Sequence, residues 1–297
     1  MNYILLLFIG IIWGGQFVLI DFSLGSYTPE QLALLRTFYA AVFLIVFCLV
    51  AKRKRYKRDF KTWSKVAAIG VLEVVIPFTL VMWGQQSVSG SMASILMGTI
   101  PFFTIILVLL TRVERATAAK FMGMFIGFIG LLVLFAPDLI ATGLSSALLP
   151  QLAIMLVALS FASALIIIRS LPNEDAFLLS RDAFIIGTII MLGINLGNDS
   201  LQGMHFALYP TIASIILGVF CSGLVYVLYV SLIKRAGAGF CSLSNYLVPL
   251  FGSLLGVIIM GDHISINMVF ACLLILLSIA VEPILGLLKR QSRVKAS

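Results

Sequence analysis

The chain has 297 residues, of which 61% are hydrophobic and only 11% charged, and its mean hydropathy is +1.15. A soluble domain carries about 25% charged residues, so composition excludes a water-soluble globule and points to a chain whose solvent is lipid. The formal net charge of +8 invites a nucleic-acid reading, which the placement of the basic residues argues against.

In chain order, apolar runs between polar breaks predict ten membrane helices at about 3–21, 30–51, 65–84, 92–111, 118–137, 148–168, 176–196, 211–233, 239–260 and 265–287. The first run has no basic flank before it and is followed by SLGSYTPE. It therefore reads as a retained helix rather than a cleaved signal. It carries Trp13 and Gln16. The second run places Arg36 and Tyr39, and a guanidinium keeps its charge at any ordinary pH. Arg36 has two readings: an anchor or ion pair, with Glu30, Asp21 or Glu73 as candidate partners, or a contact for an anionic substrate group. Its aliphatic stem also lets the head snorkel to the interface.

The third run carries Glu73, about eight residues or ~12 Å from its end. No apolar helix needs an acid there, so a functional site is the default reading. A buried carboxyl without a cation binds and releases protons within reach of a cycle, or it meets a substrate ammonium. The alternative is a fixed bond to Arg36 or a nearby hydroxyl. Trp83, at the end of this run, suits an interfacial anchor. The fourth run holds Met97 and Pro101, and the fifth presents Gly123, Gly127 and Gly130 on a GxxxG face. That face predicts close contact, either within the fold or in a homodimer through Gly123 and Gly127. Gly10/Gly14 and Gly252/Gly256 repeat the spacing. The sixth run adds Ser160 and Ser163, the eighth Tyr226 and Tyr229, and the ninth Asn245, Tyr246 and Pro249. Tyrosine and tryptophan offer an apolar face with a polar tip, which suits an amphipathic solute.

Cys48, Cys221, Cys241 and Cys272 all fall inside apolar runs and read as small hydrophobes. The histidines are His205 and His263, too few for clustered-His ligation. No catalytic residue, metal or cofactor is assigned.

Apart from Arg36, every lysine and arginine lies in the even loops, at the adjoining helix ends, or in the C-terminal tail. These are KRKRYKRDFKTWSK (52–65), RVERATAAK (112–120), Arg169 and Arg181, Lys234 and Arg235, and the tail 289–297. The positive-inside rule then puts both termini and these loops in the cytoplasm. The basic loop reads as a topogenic element facing anionic membrane lipid, not nucleic acid.

The chain also matches itself. Pro101 and Glu114 are spaced as Pro249 and Asp262 are, and each acid precedes a hydroxyl residue, Thr117 or Ser265, placed to cap the next helix. EQLALLRTFYA (30–40) matches DAFLLSRDAFI (175–185), with Arg36 opposite Arg181. The expected fold is an all-α integral membrane protein of ten transmembrane helices in two inverted five-helix repeats, 1–140 and 146–288, around a central cavity. An odd repeat of five must invert, and inverted repeats with Pro-interrupted helices are a mark of secondary transporters. Pro101 and Pro249 fall near the bilayer centre and read as hinges or as packed kinks.

With IIWGGQFV (11–18), QLALLRTFYAA (31–41), SMASILMGTIPFF (91–103) and CSLSNYLVPLFGSLLGVIIMGDHIS (241–265) in this order, the chain resembles the drug/metabolite transporter superfamily in its EamA-like branch. The resemblance implies ATP-independent export or exchange of small metabolites, amino acids being a common class. The location is the plasma membrane, the inner membrane in a bacterium. The family usually has Glu where Asp262 stands. An intramembrane enzyme and a non-transporting channel or scaffold remain alternative classes.

Overall fold

Lipid offers the backbone no hydrogen bonds, so apolar runs satisfy themselves as helices. The computed structural model describes residues 1–24, 26–53, 57–85, 87, 90–115, 117–142, 148–260 and 265–295. Asp262, His263 and the side chains of Asp21 and Gly256 lie outside the description. The helices are α1 (Asn2–Leu24), α2 (Pro29–Val50), α3 (Phe60–Gly70), a π-helical segment (Val71–Val75), α4 (Ile76–Gln85), α5 (Gly90–Met97), α6 (Ile100–Thr111) and α7 (Ala118–Thr142). They continue as α8 (Leu148–Arg169), α9 (Ala176–Gly197), α10 (Leu208–Gly218), a second π segment (Val219–Leu224), α11 (Val225–Ala236), α12 (Ala238–Ser242), α13 (Ser244–Met260) and α14 (Ile266–Lys295).

All ten apolar runs coincide with these rods. Among the described residues, eight are long and apolar enough to cross a membrane, while Ile95–Thr111 and Ile266–Val281 are shorter apolar helices. The protein is thus a multi-pass, all-helical membrane protein. α14 carries its helix to Lys295, so most of the predicted tail continues the last helix.

Caps mark the helix starts. Thr28 and Gln31 form a reciprocal capping box on α2, which satisfies two otherwise orphaned donors. Asp59 accepts from the amide of Thr62, and Asp175 from those of Phe177 and Leu178. Thr117 accepts from the Lys120 amide at 3.3 Å, and Ser265 from that of Met268 at 3.1 Å, as the duplicated pattern predicts.

The two prolines differ in setting. Pro101 sits in the first turn of α6, after a break at Gly98–Thr99. A proline has no amide to lose there, so the rod restarts instead of kinking. Pro249 lies inside the continuous α13.

Packing follows the small residues. A Cβ on Gly10 or Gly14 would stand 2.6 Å from the Cβ of Leu247 or Phe251, which brings α1 against α13. Gly123 abuts the carbonyl of Ser278, Gly127 the ring of Tyr246, and Gly130 the side chain of Ile275. The α7 GxxxG face is therefore filled by α13 and α14 of the same chain. Of the two expectations for this face, contact within the fold is the one these glycines make.

Helix neighbours come in matching pairs. α1 lies against α13 and α10, while α8 lies against α6 and α4; α2 meets α10, while α9 meets α3. A Cβ on Gly218 would stand 2.9 Å from the Arg36 carbonyl oxygen, and one on Gly70, 148 residues earlier, 2.7 Å from that of Ala183. In these two contacts Ala183 stands against Gly70 as Arg36 stands against Gly218, two residues past Arg181.

Gly127→Val places new methyls where the Tyr246 ring already stands at 2.4 Å from the Cβ position. The expected outcome is a loss of about 1–3 kcal/mol, read as a lower melting temperature in detergent with unchanged particle mass.

Candidate functional site

Arg36 turns into the bundle. Its Nε donates to Ser222 Oγ at 2.6 Å, and its Nη2 to Gln16 Oε1 at 2.7 Å and to the Cys221 carbonyl at 3.2 Å. The guanidinium also lies 4.7 Å from the Phe78 ring centroid. All of these partners are neutral. Among the described residues no ion pair joins Arg36 to an acid, Glu30 and Glu73 included. Neutral acceptors fix the cation's position without cancelling its charge, and Nη1 is left outside these bonds.

The Cys221 carbonyl belongs to the second π segment and also accepts from Trp13 Nε1 at 3.1 Å. The first π segment has a matching tie, because Ser160 Oγ donates to the Leu72 carbonyl at 2.8 Å. So α1 braces the π segment before α11, and α8 braces the one before α4. π turns shift the ladder to i→i+5 and recur at functional sites; here the amide of Ile76 donates to the Val71 carbonyl. Both segments start at a Gly-Val, Gly70–Val71 and Gly218–Val219, but so does Gly256–Val257 within α13, so the dipeptide alone does not reveal them.

Glu73 sits in the first π segment at 5% exposure. Its Oε1 is buried with no hydrogen-bond partner, and so is the hydroxyl of Tyr226. The fixed bond considered for Glu73 is therefore absent among the described residues. Glu73 is close enough to Tyr226, Tyr229 and Cys241 to interact with them electrostatically. A polar atom sealed in without a partner is costly and marks a place kept ready for one.

Tyr226 and Tyr229 lie on one face of α11, and Ser222 precedes them in the second π segment. Ser222 holds Arg36, and the two tyrosines are within electrostatic reach of Glu73. Trp13 meets the Tyr229 ring edge-on at 5.0 Å, Phe184 meets Tyr226 at 5.2 Å, and the two tyrosine rings lie 5.9 Å apart. Of the residues singled out in the sequence, Trp13, Gln16, Arg36, Glu73, Ser160, Tyr226 and Tyr229 therefore converge. Phe78 and Ser222 were missed, since a phenylalanine and a serine in an apolar helix carry no pattern of their own.

Other candidates are committed elsewhere. Tyr246 is fully buried, and its hydroxyl donates to the Met124 carbonyl at 2.9 Å in the seam with α7. Asn245 bonds back to the Ser242 carbonyl. Tyr39 fills the α2–α10 seam beside Gly218, and Met97 packs beside Ala93 and Ile154. Ser163 bonds within its own helix. Trp83 is 44% exposed, as an anchor would be.

The basic end holds a second feature. Arg58 pairs with Glu174 at 2.6 Å and with Asp182, which also pairs with Arg181 at 2.6 Å. All four side chains are 5–8% exposed. Burial disfavours the Arg58 cation, but the bonds to Glu174 and Asp182 outweigh it and raise the pKa above the ordinary arginine value. Arg53 pairs with Asp175 at 3.0 Å and lies over Phe177. The loop expected to face lipid thus docks Arg53 and Arg58 on the α8–α9 connection. Close by, Glu114 accepts from the amides of Ala238 and Gly239 at the start of α12 and from Lys120 Nζ. The signal in the sequence was Glu174, Asp175 and Asp182, acids concentrated beside a basic loop.

Comparison with known proteins agrees with this architecture. The family model of the EamA-like transporter family matches residues 1–136 and 148–281. The chain is 22% identical to the uncharacterized transporter YoaV of Bacillus subtilis, over 89% of this chain and 90% of that protein. It is 24% identical to an uncharacterized transporter of Archaeoglobus fulgidus, over 91% and 94%. It is also 24% identical to a WAT1-related protein of Arabidopsis thaliana, over 90% and 80%. A protein of known crystal structure superposes with a TM-score of 0.82 at 17% identity, covering 96% of this chain and 98% of that one; at that identity the likeness concerns fold alone.

Arg58→Gln leaves two buried carboxylates short of a cation. The expected loss is about 3–5 kcal/mol, measured by thermal or denaturant melting in detergent. Adding Glu174→Gln should cost much less than the sum of the single changes, because the groups share one network.

Proposed function

The chain belongs to the EamA-like transporter family, and on that premise we propose that it is a secondary transporter of small polar or amphipathic metabolites. Amino acids or related compounds are exported, and alternating access drives the cycle without ATP. The observation that carries this reading is the pair of unneutralised ionisable groups, Arg36 and Glu73, beside aromatic rings inside a lipid-embedded bundle. Such groups are expensive in a membrane and mark substrate or ion pathways.

All ten rods cross the bilayer in this proposal, in two inverted halves, 1–140 and 146–288, with both termini in the cytoplasm of the cell that carries the protein in its plasma or inner membrane. The paired contacts at matching chain offset support it. The halves rock against each other around a central cavity, with the break before Pro101 and the helix around Pro249 as the points of bending. The ion pairs of Arg58 close the basic side and break when that side opens. Glu73 exchanges its proton for substrate, which couples export to a proton gradient.

In proteoliposomes loaded with unlabelled amino acid, the expected result is counterflow of labelled amino acid or a related metabolite. A broad metabolite panel that gives none, with folded protein, counts against the reading. Glu73→Gln should lower pH-gradient-driven accumulation by about tenfold or more, equivalent to at least ~1.4 kcal/mol. Accumulation that survives the change removes the proton role.

A further inference from the structure

The two ionisable groups of the site stand apart, and their separation selects the substrate. Arg36 is fixed at the level of Ser222 by the Nε–Oγ bond and by the neighbouring Cys221 carbonyl. Glu73, on the first π segment, is within electrostatic reach of Tyr226 and Tyr229. Arg36 lies over Phe78, five residues past Glu73, or about 7 Å along that rod. Consistently, no ion pair joins the two groups among the described residues.

The carboxylate and ammonium of an α-amino acid share one carbon and stand only about 3 Å apart. They cannot satisfy both ends at once. Three chain bonds reach ~3.3–3.6 Å, so a carboxylate and an amine about six bonds apart span ~7 Å. The geometry points to a bipolar substrate, with a carboxylate at Arg36, a protonated amine at Glu73, and an apolar stem between them. Lysine-like amino acids and ω-amino acids have this form. The lining fits each part. The guanidinium turns one edge out of its three bonds to receive an anion. The stem meets Phe78 and Trp13. The amine lies among Glu73, Tyr226 and Tyr229, where a carboxylate and ring faces both favour a cation. Such a solute balances the Arg36 cation and supplies the partner that Glu73 Oε1 and the Tyr226 hydroxyl lack among the described residues.

This rests on the transport reading above and refines its substrate. The test is counterflow in proteoliposomes with labelled lysine, 6-aminohexanoate and leucine in parallel, for wild type and Glu73→Gln. Wild type should carry lysine and 6-aminohexanoate about tenfold or more faster than leucine, since leaving a built polar site unpaired discriminates strongly. Glu73→Gln should shrink that ratio to about twofold or less. Wild-type leucine flux equal to lysine flux overturns the bipolar assignment whether or not the variant folds, and leaves the transport reading standing. Flux of none of the three by folded wild type overturns the bipolar assignment, and the transport reading is then decided by the wider panel.

Discussion

A guanidinium that keeps its proton sits inside this bundle with only neutral oxygens and an aromatic ring around it. Lipid supplies no water to solvate it, so the surrounding helices must. That requirement places Gln16 of α1, Ser222 and the Cys221 carbonyl of the second π segment, and Phe78 of α4 around one point. Three separate stretches of chain are thereby drawn to α2. Glu73 imposes the opposite demand. It is nearly sealed, and its Oε1 has been given no partner among the described residues. A fold that solvates one charge carefully and leaves the other wanting is organised around something that arrives and leaves.

The close contacts among helices follow from the same solvent. With no hydrophobic effect to draw helices together in lipid, van der Waals packing and small residues do so. Gly10 and Gly14 let α1 press on α13, and Gly123 and Gly127 let α7 press on α14 and Tyr246. Gly70 and Gly218 bring backbone against backbone at the mouths of the two π segments. Those segments carry Glu73 and Ser222, so these close approaches also position the two ends of the site.

At the basic end, charge is balanced instead of left open. Arg58, Arg181, Glu174 and Asp182 form a nearly buried set with two charges of each sign. A buried ion pair contributes little net stability compared with apolar packing but fixes a geometry, because breaking it exposes an unpaired charge. It ties the connection before α3 to the one before α9. Both connections border the helices that bear Arg36 and Glu73 or pack against them.

Much of this was legible in the sequence. Long apolar runs had to become helices, and the one-sided placement of lysine and arginine separated them. Thr28, Thr117 and Ser265 cap helices as their positions suggested. Trp13, Arg36, Glu73, Tyr226 and Tyr229 could be singled out because a polar or amphipathic group in an apolar run has few bland reasons to be there. The tertiary structure decided which of these meet. Tyr246 and Asn245 look like site residues by type, but their hydrogen bonds close on Met124 and Ser242. The π segments, the break before Pro101, and the capture of the basic loop by Glu174 and Asp182 were likewise settled only by packing. Residue type and period fix which groups lipid will not tolerate alone. Which partner each finds depends on helix rotation and backbone approach, set by contacts far apart in the chain.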